Sequence, residues 1–264
     1  MRIHLMVPGS GGTFYCQNCL RDGLLLRALR TLGHDVLAVP LYLPLFADAP
    51  EAGRGAPVFF GGVNVFLQQH LGLFRKTPRW LDRFFDTTGV LRQAAQREGS
   101  TNAAELGPMT LSMLEGRSGR QRKEYRRLLD WLRTQPRPDV AHLSNALLLG
   151  LAKEIKETLG ATVVCSLQDE EPWVEAMHHP YPERCWAAMA RAANYVDRFI
   201  SPSAWYADRM AMRLGIARER IAVVPLGVDA AGVTPAPQPP EHPTTGFLAR
   251  LNEAQGLGIL ADAF

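Results

Sequence analysis

The chain has 264 residues, of which 47% are hydrophobic and 21% are charged, and its formal net charge at pH 7 is +3. This composition is typical of a soluble globular protein, and so small a charge gives no argument for nucleic-acid binding. No apolar run reaches the roughly 18 residues that a transmembrane helix needs, and the N-terminus does not resemble a signal peptide. We therefore expect a cytoplasmic protein whose four cysteines form no disulfide framework.

A glycine-rich turn follows the first predicted strand. The apolar run Ile3 to Val7 predicts the strand, Pro-Gly-Ser-Gly-Gly at residues 8 to 12 predicts a sharp turn, and a helical pattern runs from about Tyr15 to Leu32. Backbone N–H groups in such a turn, with the positive end of the following helix, favour anion binding. The alternative is a tight turn without a ligand. A dinucleotide fingerprint is excluded, because Phe14 stands where its third glycine would be.

Further along the chain, short apolar runs alternate with helical patterns. Further strands are predicted at Val36 to Val39, Val140 to Leu143, Thr162 to Leu167, Arg198 to Ile200 and Ile221 to Val224. Predicted helices include Ala146 to Leu159, Ala204 to Leu214, and residues 78 to 134 with breaks near Gly99 and at Gly116 to Gly119. Residues 58 to 66 predict a hairpin or two short strands around a tight turn. This alternation predicts an α/β fold with a Rossmann-like parallel sheet and helices on both faces.

A proline-rich segment divides the chain. Residues 230 to 244 contain five prolines and no apolar periodicity, which predicts a semi-rigid linker. A strand at Thr245 to Arg250 and a helix at Gly256 to Phe264 are predicted after it. We therefore divide the chain into an amino-terminal domain over residues 1 to 229, a linker over 230 to 244, and the first βα unit of a second domain over 245 to 264. One such unit cannot bury a sheet, so we expect the front part of a longer two-domain protein.

Motifs on both sides of this linker resemble a known enzyme family. Val-Val-Pro-Leu-Gly-Val-Asp at residues 223 to 229 and Phe-Leu-Ala-Arg-Leu at residues 247 to 251 are similar to the domain junction of family 4 glycosyltransferases, which have the GT-B architecture. Asp139 to His142 resembles a strand of the same family. The resemblance implies transfer of a sugar from a nucleotide-sugar donor to an acceptor, usually retaining and without a metal or other cofactor. It also implies that this chain is the acceptor-side half and is inactive alone.

The resemblance implies roles for individual residues in binding the donor phosphates. These residues are Gly11, Gly12, Arg250 and Gln255, the last standing where the family has a lysine. Hydrogen-bond donors fixed around a departing diphosphate lower the barrier to transfer. Gln255 can still donate a hydrogen bond, although it brings no charge.

A second group of implied site residues follows the strand that ends at Leu167 or lies on the first helix. Gln168 and Asp169 would orient sugar hydroxyls as the catalytic pair, although the family often has a histidine at the position of Gln168, and glutamine cannot relay a proton. Asn18, Arg21 and Glu170 are candidates for acceptor binding. A solvated helix face is the alternative for Asn18 and Arg21, and an acidic helix start is the alternative for Glu170.

Other polar residues have mainly structural interpretations. His142 lies in an apolar strand, which favours a core histidine with a satisfied hydrogen bond. Cys16 and Cys19 begin the first helix; a redox or zinc role competes there with residues that simply line the acceptor site. We expect no metal site.

Eight basic residues lie between Arg117 and Arg137, beside an apolar stripe of Leu128, Leu129 and Leu132. The pattern favours a surface helix with a solvated basic face. The alternative is peripheral contact with the inner face of a membrane, which would suit a lipid-linked acceptor.

The partners that the resemblance implies are a nucleotide-sugar donor and a sugar or lipid-linked acceptor, without nucleic acid. Two other functions stay open: a noncatalytic sugar- or nucleotide-binding α/β domain, and an isomerase or epimerase of similar shape.

Overall fold

The computed structural model describes residues 1–9, 17–42, 59–60, 103–230, 233–234, 236, 238, 241–242, 244–247 and 255–264. Its strands are β1 (Arg2–Val7), β2 (Asp35–Pro40), β3 (Val140–Leu143), β4 (Thr162–Ser166), β5 (Arg198–Ser201) and β6 (Ile221–Val223). Its α-helices are α1 (Gln17–Thr31), α2 (Gly107–Leu114), α3 (Arg122–Thr134), α4 (Ala152–Leu159), α5 (Glu170–Glu175), α6 (Tyr181–Ala193), α7 (Ala204–Leu214) and α8 (Leu257–Ala263).

The described strands form one parallel sheet in the order β2-β1-β3-β4-β5-β6. The chain runs from β1 outward to β2 and then returns to add β3 on the other side of β1. Strand order therefore reverses between β1 and β3. In open parallel sheets, ligands bind outside the carboxyl ends of the strands at such a switch point. The predicted α/β class with a Rossmann-like parallel sheet is confirmed.

Alternate residues of β1 pack into two separate apolar clusters. Leu5 and Val7 pack with Leu26 of α1, whereas Met6 joins a larger cluster that includes Leu128 and Leu132 of α3. A strand buried on both sides has no polar face, which explains why the runs in the sequence are apolar without clear alternation. This burial holds the strand ends in fixed positions.

Helix α3 uses its apolar stripe within the protein core. Leu128, Leu129 and Leu132 are buried, and the basic side chains lie on the remaining faces. Arg127 pairs with the buried Glu124 at 3.3 Å. The prediction of an amphipathic surface helix is confirmed.

Three predicted elements differ from the structure or lie outside it. Residues Ala146–Leu151 form a 3-10 helix, and only α4 continues as an α-helix. The tighter turn coincides with close packing, because a Cβ added at Gly150 would lie 2.2 Å from the carbonyl oxygen of Met113. Residues 245–247, the described part of the predicted strand at 245 to 250, form no strand. The predicted hairpin lies outside the described residues, apart from two buried phenylalanines at 59 and 60.

The chain forms two compact units, Met1–Val228 and Asp229–Phe264. The first contains the whole sheet. In the second, α8 buries none of its residues. The linker and the start of a second domain stay predictions. Among the residues that the structure describes, no helix has both the length and the apolar character to cross a bilayer.

Candidate functional site

Strands β3 and β4 end side by side next to the switch point of the sheet. They pair in register from Val140 with Thr162 to Leu143 with Cys165. Beyond β3, the backbone N–H of Ser144 donates to the carbonyl of Met6 at 3.1 Å, which ties this end to β1. Ser144 and Gln168, which follow β3 and β4, are therefore held at the same edge of the sheet.

The side chain of Gln168 connects these two strand ends. It is 6% exposed, and its Nε2 donates a hydrogen bond to the carbonyl oxygen of Ser144. Its Oε1 has no hydrogen-bond partner among the described residues, and neither has the hydroxyl of Ser144, which is 1% exposed. Most buried polar atoms have a partner, so two unpartnered oxygens at neighbouring strand ends point to a ligand. They can accept hydrogen bonds from hydroxyl groups.

Both carboxylate oxygens of Glu170 accept hydrogen bonds from protein donors, one of which is the backbone N–H of Gln168. Glu170 Oε1 accepts from the backbone N–H groups of Ala146 at 2.8 Å and Gln168 at 2.9 Å. Its Oε2 lies 2.9 Å from the same Gln168 nitrogen and accepts from the Tyr206 hydroxyl at 2.6 Å. Burial raises the pKa of Glu170 to about 7, against the opposing effect of these donors. The carboxylate is better placed to hold the site together than to contact an acceptor.

Asp169 is the exposed carboxylate at the same strand end. It occupies the N-cap position of α5, and its side chain makes no capping hydrogen bond. Glu170 and Glu171 form the first turn of α5, as predicted for an acidic helix start. Asp169 is therefore exposed at the position after Gln168, and its role in the site stays a prediction.

The two predicted acceptor-binding residues of α1 are both half-buried. Burial lowers the pKa of Arg21, while the nearby charges of Asp22 and Glu170 oppose this shift. The same guanidinium also helps to lower the pKa of His142. Arg21 thus brings a positive charge toward the ends of β3 and β4, whereas the acceptor-binding role of Asn18 stays a prediction.

His142 is a core histidine, as predicted. Its Nε2 lies 2.9 Å from the hydroxyl of Ser166 on the neighbouring strand. Burial, assisted by Arg21, lowers the pKa of His142 to about 4, so the ring is neutral at physiological pH.

Most of the residues predicted to bind the donor phosphates lie outside the described part of the chain. Gly11, Gly12 and Arg250 lie outside the described residues, as does Cys16. Gln255 is exposed and lies two residues before α8, in the second compact unit. Their roles stay predictions. Within the described ranges, no group of three or more histidine, cysteine or acidic side chains could hold a metal ion.

The sequence does not predict two side chains of the candidate site, Ser144 and Tyr206. Ser144 stands two residues after His142, where the resemblance to the family implies a second histidine in many members, and the sequence assigns its hydroxyl no role. Tyr206 stands 36 residues after Glu170 and carries no motif of its own. A helix start at Ser203, which caps α7 by accepting from the Tyr206 N–H at 3.2 Å, is the only local signal near it in the described chain.

A family model described as Glycosyltransferase Family 4 matches residues 90–231, which is more than half of the chain. The matched span contains β3 to β6 and, with them, Ser144, Gln168 and Glu170. No curated protein matches the chain significantly. The parallel sheet agrees with the amino-terminal half of the GT-B fold. The chain belongs to glycosyltransferase family 4.

Proposed function

We propose that this chain binds the acceptor in a glycosyl transfer from a nucleotide-sugar donor to a sugar or lipid-linked acceptor. The transfer would retain the anomeric configuration and use neither a metal nor a cofactor, as the family resemblance implies. Gln168 and Ser144 would accept hydrogen bonds from sugar hydroxyls, and Asp169 would orient a hydroxyl from the exposed side. Gly11, Gly12 and Arg250 would stabilise the donor diphosphate.

One observation carries the proposal. Two buried side-chain oxygens, Gln168 Oε1 and Ser144 Oγ, have no partner among the described residues at the carboxyl end of the sheet, in a domain of this family. A buried acceptor atom without a partner loses roughly 1 to 3 kcal/mol relative to hydration. A sugar hydroxyl that donates to it recovers this loss, so the site favours ligands rich in hydroxyl groups.

Binding can be tested by NMR with ¹⁵N-labelled protein and a panel of probes: UDP-glucose, GDP-mannose, glucose and mannose. We expect at least one probe to shift the side-chain amide signals of Gln168 and the backbone signals of Ser144 and Asp169. In Gln168→Leu, binding of that probe should weaken about tenfold, as the loss of one buried hydrogen bond predicts. No shift with any probe would contradict the proposal.

A matched control is available at the opposite edge of the sheet. Gln135 caps the end of α3 before β3 begins, and its Nε2 donates to Thr134 at 2.9 Å. Gln135→Leu should leave the affinity for the same probe unchanged. An equal loss in both variants would mean that the effect is not local to the candidate site.

The noncatalytic alternative is favoured by two departures from the family pattern: Gln168 where the family often has a histidine, and Gln255 where it has a lysine. The two functions differ in whether a bond is broken. Incubation of the protein with a nucleotide sugar, with and without acceptor, separates them when ³¹P NMR measures whether the nucleotide is released. Binding without release would support the noncatalytic alternative.

A further inference from the structure

Three elements meet at the carboxyl group of Glu170. The carboxyl group accepts hydrogen bonds from three donors. They are the backbone N–H of Ala146, which begins the 3-10 helix after β3, the backbone N–H of Gln168 after β4, and the hydroxyl of Tyr206 on α7. The backbone N–H of Glu170 itself donates to the Tyr206 oxygen at 3.2 Å. The two loops that carry Ser144 and Gln168 are therefore connected through a single buried carboxyl group, which is 2% exposed.

The charged and titratable groups around this carboxyl come from three elements. The negative charge of Glu170 acts to raise the pKa of three groups: Arg21 on α1, Cys165 on β4 and Tyr206 on α7. Burial raises the pKa of the Cys165 thiol, and burial together with the Glu170 charge raises that of Tyr206, so both stay protonated at neutral pH. Within this described group, Arg21 carries the only formal charge opposite in sign to that of Glu170.

We infer that Glu170 is a positioning residue for Gln168 and Ser144: its ionised carboxylate holds the two strand-end loops at a fixed spacing, and its protonation loosens them. The inference rests on the proposed function only for what Gln168 and Ser144 bind. The coupling between the carboxyl group and the two loops is a property of the protein without ligand.

The hydrogen bonds to the Glu170 carboxylate explain why its protonation must change the site. An ionised carboxylate is an acceptor only, and here every donor around it points inward. A proton added to Oε1 would face the N–H groups of Ala146 and Gln168. A proton added to Oε2 would have to be donated to the Tyr206 oxygen, which would turn the tyrosine hydroxyl toward another acceptor. Either way, the N–H groups that hold the loops lose an ionised acceptor, and hydrogen bonds to an ionised group are roughly twice as strong as those to a neutral one.

The transition falls in the physiological range. Burial raises the pKa of Glu170 to about 7, so both forms are populated at neutral pH. The donors from Ala146, Tyr206 and Gln168 favour the ionised form. Removing one of them should therefore move the transition to higher pH.

The test is a pH titration of the ligand-free protein between about pH 5.5 and 8.5, followed by ¹⁵N NMR. In the wild type we expect the backbone amides of Ala146 and Gln168 and the side-chain amide of Gln168 to shift together with a midpoint near pH 7. In Glu170→Gln these shifts should disappear. In Tyr206→Phe the midpoint should rise by about 0.5 to 1 pH unit, which is the loss of one hydrogen bond to the ionised form.

Glu171→Gln is the matched control. Glu171 is the next carboxylate along the chain, and it pairs with Arg209 and Arg213 on α7 instead of with the loops. This variant should titrate as the wild type does. If Glu170→Gln does not fold, Tyr206→Phe carries the test alone, because it keeps the ring and the carboxyl group.

Two results would overturn the inference. One is an absence of any transition near neutral pH in the backbone signals of Ala146 and Gln168. The other is a transition that leaves the Gln168 side chain unmoved, which would make Glu170 a structural residue only. A probe panel that fails to bind would count against the proposed function and leave this titration unaffected, so the two failures are distinguishable.

Discussion

Two buried serines at the ends of neighbouring strands have opposite surroundings. Ser166 is 2% exposed, and its hydroxyl lies 2.9 Å from His142 Nε2. Ser144 is 1% exposed, and its hydroxyl has no partner in the described part of the chain. The first hydroxyl contributes to folding, whereas the second is kept at a cost to stability. Such a cost is expected at positions where side chains are kept for binding.

We predict that Ser144→Ala raises the free energy of unfolding by about 1 kcal/mol, because it removes a buried hydroxyl without removing a described hydrogen bond of that side chain. Ser166→Ala should lower it by about 1 to 2 kcal/mol, because it leaves the His142 nitrogen without its partner. Urea unfolding followed by circular dichroism measures both. Equal destabilisation in the two variants would show that the Ser144 hydroxyl has a protein partner and would weaken the binding site.

At the scale of elements, the packing around the 3-10 helix depends on close backbone approach. The carbonyl of Gly150 accepts from the Tyr125 hydroxyl of α3 at 2.8 Å. A Cβ at Gly150 would lie 2.2 Å from the Met113 carbonyl and 2.9 Å from that of Leu114. Since these neighbours are backbone atoms, they cannot move aside as a flexible side chain would.

Gly150→Ala should therefore lower the free energy of unfolding by about 1 to 3 kcal/mol, the usual cost of overpacking. Gly23→Ala is the matched control in α1, where no described atom lies within 4 Å of an added Cβ. It should raise stability by about 0.5 to 1 kcal/mol, because alanine is the better helix former. Thermal unfolding of both variants checks the pair. A neutral Gly150→Ala would mean that α2 can shift away from the 3-10 helix.

The sequence predicts the elements better than the contacts between them. The bounds of β3 and α7 are predicted residue for residue, because each is an apolar pattern ended by a clear stop signal. The 3-10 helix is missed, since its sequence is helical and only the packing at Gly150 distinguishes it. The site is predicted in part: Gln168 and Asp169 follow a strand, but the bonds from Glu170 to Ala146 and Tyr206 join residues far apart in the chain.

Across the whole molecule, the basic residues around α3 are largely paired. Arg117 lies 3.6 Å from Glu154, Arg133 lies 3.0 Å from Asp130, and Arg137 donates to the carbonyl of Gly160 at 3.0 Å. The formal net charge of the entire chain is also only +3. The leucines of α3 are buried, so this helix has no apolar face to insert between lipids.

We therefore predict that vesicles rich in phosphatidylglycerol do not retain the protein at about 0.15 M salt, where screening limits surface attraction to about 8 Å. Cosedimentation measures this directly, with phosphatidylcholine vesicles as the uncharged control. Arg122 and Arg126 are two exposed basic residues of α3 that can be substituted. Retention at this salt concentration that is lost in Arg122→Gln/Arg126→Gln would establish the membrane alternative, and an acceptor held at the membrane surface would then become the better expectation. Without such retention, a soluble sugar acceptor is favoured, because the hydroxyl-accepting oxygens at the sheet edge require only the sugar itself.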